Sequence, residues 1–163
     1  MKEKESETVP KLLSRCGIYC GACYIYRAFK DDGRLLEIIA EKVKAPQQEI
    51  HCNGCLGPIE DLWRNCKNCQ IRSCLQQKKL AFCFDCPEFE RSTCRGYESL
   101  RESGAERGED VREALMRIKA GDADRWLEEQ DRKWRCAECG GSIYWTEKTC
   151  HHCGKPIRQV RIL

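Results

Sequence analysis

The chain has 163 residues, 34% of them charged and 41% hydrophobic by a count that includes all fifteen cysteines. Such a composition allows one or two small domains with thin apolar cores, and it excludes a membrane-spanning helix, since no apolar run approaches the roughly 18 residues that one needs. The formal charge of +3 belongs to the C-terminal end: residues 134–163 hold five Lys/Arg against two Asp/Glu, while residues 1–133 carry twenty-four of each sign.

Residues 1–13 read as a polar leader. Met1 to Pro10 lacks the apolar stretch and small-residue cleavage site of a secretory signal. With an odd number of cysteines, this predicts a reducing, cytoplasmic setting in which disulfides do not persist. Residues 14–102 follow as a cysteine-rich metal-binding domain that opens with Cys16-Gly-Ile-Tyr-Cys20-Gly-Ala-Cys23. Tyr24 to Lys30 continues as a short helix. A second helix fits Asp32 to Ala45, with Leu35, Ile39 and Val43 on one face and Pro46 at the stop. From His51 to Cys94 the cysteines alternate with Gly, Asn, Pro and charged residues without a sustained period, which reads as metal-organised turns. A helix is then expected from near Glu88 to just before Gly104, carrying Phe89, Tyr97 and Leu100.

Residues 103–133 read as a charged helical connector with Val111, Leu115 and Ile118 on one face. Gly121-Asp122 divides it in two, Asp122 serving as the second N-cap. Its charges are expected to form a solvated face with i,i+4 pairs. In residues 134–163 two knuckles, Cys136-Ala-Glu-Cys139-Gly and Cys150-His-His-Cys153-Gly, flank a β-prone stretch containing Ile143, Tyr144 and Trp145. This is the pattern of a zinc ribbon.

Twelve of the fifteen cysteines fall into Cys-x-x-Cys pairs. Two intervening residues let a tight turn aim both thiolates at one ion, and a second pair completes a tetrahedral shell. Cys136, Cys139, Cys150 and Cys153 read as one structural zinc site. Cys52, Cys55, Cys66 and Cys69 repeat the arrangement, and Cys74, Cys83, Cys86 and Cys94 supply a third set, although interleaved sites would use the same residues in another order. Cys16, Cys20 and Cys23 admit two readings. They bind zinc with a fourth ligand from elsewhere, His51 being the nearest candidate, or they hold three irons of an iron–sulfur cluster, their spacing being that of radical S-adenosylmethionine enzymes. Those enzymes need a barrel that this chain is too short to build. Cys83-Phe-Asp-Cys86-Pro87 contains the Cys-Pro step of bacterial ferredoxin motifs without the preceding run of cysteines. The sum is about three to four zinc ions per chain, at four thiolates each. His151 and His152, inside a knuckle whose four thiolates already close the shell, are expected to be exposed. No nucleophile elbow, phosphate-binding glycine loop or His-Glu-x-x-His is present, which leans away from an enzyme.

The string Arg15-Cys-Gly-Ile-Tyr-Cys-Gly-Ala-Cys-Tyr24, with His51-Cys-Asn-Gly-Cys55, Asn65-Cys-Lys-Asn-Cys-Gln-Ile-Arg-Ser-Cys74 and Phe82-Cys-Phe-Asp-Cys86-Pro87, resembles a prokaryotic cysteine-rich family, domain of unknown function 3795, over roughly residues 14–102. The resemblance implies metal binding and confers no activity. Some members carry a zinc ribbon after a charged helical connector.

The expected fold class is a small α+β metal-organised fold: a cysteine-rich zinc-knuckle domain with short helices, a helical connector and a C-terminal β zinc ribbon. The expected role is that of a cytoplasmic binding or adaptor protein with structural zinc. The ribbon would present Trp134, Tyr144, Trp145, Arg158 and Arg161 to a protein partner, or through its basic charge to nucleic acid, and not to a membrane; the other reading of its aromatics is that they pad a ribbon too small for a core. The alternative is an iron–sulfur or redox-active metalloprotein that uses Cys16, Cys20 and Cys23.

Overall fold

The computed structural model describes residues 12–158, so most of the leader and the tail that carries Arg161 lie outside the described residues. Eight α-helices follow in chain order: α1 (Tyr24–Asp31), α2 (Gly33–Val43), α3 (Arg64–Lys67), α4 (Gln70–Lys78), α5 (Pro87–Glu90), α6 (Arg95–Glu106), α7 (Val111–Lys119) and α8 (Ala123–Lys133). Single 3-10 turns at Cys20–Ala22, Gln47–Glu49, Ile59–Asp61 and Cys83–Asp85 link them.

The helices α1 and α2 stand where the apolar spacing puts them. Asp32, at φ 54°, separates them and returns its N–H to the Ala28 carbonyl at 3.1 Å. Ile25 and Ala28 pack on Leu35, Ile39 and Ala40, and Ile50, Leu62 and Trp63 close this core from the following turns.

The helix expected from Glu88 is instead two helices. Thr93 donates its N–H to the Glu88 carbonyl at 2.9 Å while Ser92 sits at φ 55°, a Schellman-type ending that stops α5. The chain then passes through Cys94 before α6 starts. The stretch read as turns contains α4, whose only large apolar residues, Ile71 and Leu75, are too few to reveal a period. Cys74 and Lys78 complete their face at i, i+3, i+4 and i+7.

The expected connector lies at the centre of the molecule. Ala114 of α7 faces a core built with Leu13, Tyr19, Trp126, Trp134 and Trp145. Val111 and Leu115 face another with Leu75, Phe89 and Tyr97. Gly121, at φ 85°, divides α7 from α8. Asp122 flanks α8, but its carboxylate accepts from Arg117 Nε at 2.7 Å rather than from the helix. Arg117 also pairs with Glu129, tying α7 to α8.

The expectation of an α+β fold ending in a β zinc ribbon is not met. The described residues are mostly helical and form no sheet, and pairing is limited to the isolated bridges Leu13–Tyr19, Arg135–Ser142 and Thr149–Pro156. The β-prone stretch finds no continuous partner. Ile143 donates to the Trp134 carbonyl and Trp145 to the Ala22 carbonyl, each at 2.9 Å, so alternate residues pair with different segments and no ladder grows. No described helix is long and apolar enough to cross a membrane.

Candidate metal centres

The two C-terminal knuckles are copies of one another in their backbone. Cys136 donates its N–H to the Gly141 carbonyl at 2.8 Å and receives the Gly140 N–H at its own carbonyl at 2.8 Å. Cys150 repeats this with the Lys155 carbonyl at 2.9 Å and the Gly154 N–H at 2.8 Å. Gly140 and Gly154 share φ 72°, a left-handed conformation that glycine adopts without steric cost. The Arg135–Ser142 and Thr149–Pro156 bridges occupy equivalent places.

The four sulfur atoms of Cys136, Cys139, Cys150 and Cys153 all lie within 4.8 Å of one another. Cys136 Sγ is 3.8 Å from Cys153 Sγ, and Cys139 Sγ is 3.7 Å from Cys150 Sγ. A tetrahedral ion with Zn–S bonds of about 2.3 Å requires sulfur–sulfur edges of about 3.8 Å. The donor set therefore fits zinc in both chemistry and spacing. The backbone N–H groups of Cys139 and Glu138, aimed at its sulfur, lower the Cys136 thiol to about 7, which readies it as a thiolate. Cys136 and Cys150 are buried with Trp126, Trp134 and Trp145, whereas Cys139 and Cys153 are exposed.

This burial favours padding over contact for the two tryptophans. Trp134 and Trp145 are core residues, 4% and 8% exposed. Arg107 lies over the Trp145 ring at 4.9 Å and Lys133 over that of Trp134 at 5.5 Å. Tyr144 is half-buried and Arg158 exposed.

None of the fifteen cysteines is in a disulfide. Among the described residues, no three of the eleven from Cys16 to Cys94 bring their sulfur atoms within 4.8 Å of one another. They occupy two neighbourhoods that meet at Cys16, on whose thiol Cys55 and Cys69 act as like charges. In the first, the opening cluster interleaves with the middle pairs. Burial pushes the Cys20 thiol up while the Cys55 thiol acts on it as a like charge and the Cys55 N–H faces its sulfur. Burial also raises Cys23, to about 11, with Cys52 nearby. Cys52 and Cys66 share one proton: the Cys66 thiol supports a thiolate on Cys52, which falls to about 6, while Cys66 rises. The sequence did not single out Arg72, a buried guanidinium whose Nη2 donates to the Cys55 carbonyl and lies 3.5 Å from Cys55 Sγ. Its position three residues after Cys69, in a helix otherwise short of apolar residues, was the available signal.

In the second neighbourhood Cys74, Cys83, Cys86 and Cys94 line one cavity. Cys16 belongs to the same core as Cys83 and Cys86, with Ser14 Oγ 3.4 Å from its sulfur. The His51 ring meets Phe29 edge-on at 4.3 Å and its Nε2 is 3.4 Å from Asn53 Nδ2, while its charge helps to lower the neighbouring Cys52 thiol.

A family model described as a protein of unknown function (DUF3795) matches residues 12–99, more than half of the chain. The chain belongs to the DUF3795 family. All eleven cysteines from Cys16 to Cys94 fall inside the DUF3795 match, and the C-terminal knuckles lie beyond it. No curated protein and no solved structure matches the chain.

His151 docks the knuckles onto the DUF3795 portion. Its Nδ1 is 2.6 Å from Glu147 Oε1 and its Nε2 is 3.0 Å from Asp31 Oδ2, the last residue of α1. Burial opposes the charged ring, but the hydrogen bonds to Asp31 and Glu147, with their charges, outweigh it and raise the imidazole to about 9. The expected exposure thus holds for His152, whose Nε2 is 3.1 Å from the Ser142 carbonyl oxygen, and fails for His151. Glu147, four residues before His151, was the only local hint, because Asp31 is 120 residues away.

Proposed function

We propose that this DUF3795 protein is a multi-metal-binding protein whose C-terminal knuckles hold one structural zinc ion and whose fold serves as a binding or adaptor module. The observation that carries the reading is the set of four sulfur atoms at tetrahedral spacing, built by two knuckles with the same backbone hydrogen bonds. Four thiolates close the shell of zinc and leave no position for a water or substrate, which suits a structural rather than a catalytic ion. Cys136 and Cys150 lie in the tryptophan core, so an ion bound there would hold that core together.

The adaptor part of the proposal is supported by charge. Lys148, Lys155 and Arg158 are exposed around the second knuckle, and the buried tryptophans leave these cations as its main recognition groups. An acidic protein surface is the partner they favour. Nucleic-acid recognition of single strands draws on exposed aromatic rings as well, and Trp134 and Trp145 are not available for it. The opening cluster gives an iron–sulfur site at Cys16, Cys20 and Cys23 no comparable support, since Cys16 packs with Cys83 while Cys23 packs against the other two cores.

Two measurements test this. Elemental analysis of the full chain should return a zinc ion that is lost on Cys139→Ser, and cobalt in its place should give the spectrum of a tetrahedral four-thiolate site. Affinity capture should then recover a partner whose binding weakens with salt and is lost on Lys148→Glu/Arg158→Glu. Capture that is indifferent to those charges would sink the adaptor reading, and a Cys139→Ser protein that keeps all its zinc would sink the metal assignment.

A further inference from the structure

Cys74, Cys83, Cys86 and Cys94 arrive at one cavity from three separate elements. Cys74 projects from α4, Cys83 and Cys86 bracket a 3-10 turn, and Cys94 sits at the N-terminal end of α6, where the break after α5 delivers it. The cavity has a volume of 270 Å³. Leu75, Phe89 and their neighbours give it apolar walls, Gln70, Lys78 and Tyr97 are its polar residues besides the cysteines, and no carboxylate or imidazole lines it. The four thiols are its strong metal donors, a soft set that selects zinc, cuprous copper or iron–sulfur clusters.

The spacing of the sulfur atoms argues against a single tetrahedral zinc ion here. Among the described residues, the C-terminal thiols are the only four-cysteine set that converges to within 4.8 Å, and no three of the cavity's thiols do so. A single tetrahedral zinc needs all four thiolates about 3.8 Å apart. A four-iron, four-sulfide cube binds each thiolate at a different corner and holds them well apart, with its own atoms filling the space between them. Four thiolates on such a cube leave the complex anionic. Lys78, one turn after Cys74 on the same face of α4, brings its ammonium to 3.4 Å from Cys86 Sγ and 2.9 Å from Glu88. Hydrogen bonds to ligand sulfur are among the means by which a protein holds and tunes such a cluster.

We infer that the Cys74–Cys83–Cys86–Cys94 cavity is the seat of a four-iron, four-sulfide cluster, distinct from the zinc knuckles, with Cys16 of the opening triad packed beside it. This does not depend on the zinc reading, because the two sites share no ligand and no element.

The test is iron, sulfide and zinc analysis of the full chain purified without oxygen. The expected result is a brown protein with about four iron and four sulfide per chain, the stoichiometry of a cube. Iron should be lost on Cys74→Ser and on Cys94→Ser, two half-buried positions, with the helical circular dichroism retained. Iron should be kept on Cys20→Ser and on Cys139→Ser, the latter removing zinc instead. A colourless wild-type protein with zinc in place of iron would overturn the inference. So would iron that survives both cavity substitutions or that is lost on Cys20→Ser with the fold intact. Loss of zinc on Cys139→Ser with no iron in any variant would leave the proposed function standing and remove this inference alone.

Discussion

Glu109 accepts the backbone N–H of Tyr19 at 3.0 Å, across ninety residues of sequence and from a position that is 6% exposed. The loop before α7 thereby fixes the Cys16–Cys23 segment against the connector. Burial raises the Glu109 carboxyl, with the Tyr19 N–H and Arg107 opposing the rise. For an acid whose folded pKa lies above its unfolded one, ionisation costs folding free energy. The cost is absent below the unfolded value, near 4.5, and grows as pH rises through the folded one. Glu109→Gln keeps an acceptor for the Tyr19 N–H and cannot ionise, so its stability relative to wild type should increase on going from pH 4 toward neutrality. Glu109→Ala orphans the N–H and should cost about 1–3 kcal/mol. Denaturant titrations of both variants across pH check this.

Gly17 lies at φ +91°, where a Cβ would come within 2.2 Å of the Val111 carbonyl oxygen. Both the backbone conformation and the close approach to α7 exclude a side chain. Gly17→Ala should cost about 3 kcal/mol or more, or prevent folding. Gly33→Ala, where a Cβ meets nothing within 4 Å, should cost less despite its own positive φ. Paired thermal melts compare the two.

His151 is one of three charged groups with little exposure: the His151, Asp31 and Glu147 side chains are 10%, 14% and 2% exposed. His151→Ala would leave both carboxylates without their common partner, and losing one member of a buried pair costs about 3–5 kcal/mol. Asp31→Asn in the same background should recover part of this, because it removes one of the stranded charges. Chemical denaturation of the metal-loaded single and double variants measures the coupling.

If the knuckles hold zinc as proposed, removing it should loosen the tryptophan core. Trp126, Trp134 and Trp145 share that core with Cys136 and Cys150. A strong zinc chelator should therefore shift tryptophan emission to the red and erase near-ultraviolet circular dichroism, and zinc should restore both. If the emission stays in place when zinc leaves, the knuckles do not hold the core.

The knuckles were legible from the sequence because Cys-x-x-Cys-Gly specifies its turn locally, within five residues. The helices α1 and α2 were legible for a similar reason, their apolar spacing being long enough to establish a period. The β ribbon was misread because Ile143, Tyr144 and Trp145 have strand propensity, yet propensity does not say which segment their backbone will pair with. Trp134 and Trp145 were open to two readings, padding or contact, until α8 and the Tyr19 segment were seen to cover them. The stretch from near Glu88 to just before Gly104 was read as one helix because nothing local to Ser92 announces a left-handed residue.

By itself the amino-acid sequence determined that this is a thiol-rich chain of short elements, that most of its thiols come in Cys-x-x-Cys pairs, and that one four-cysteine set at its C-terminal end is self-contained. Those properties reside in spacings of a few residues. The tertiary structure decided which distant thiols become neighbours: Cys20 with Cys55, Cys52 with Cys66, and Cys74 with Cys83, Cys86 and Cys94 around a cavity. It also decided that the charged connector would become the central wall between two cores. These outcomes depend on how α4, α6 and α7 pack, and packing is a property of surfaces that meet only when the chain has folded.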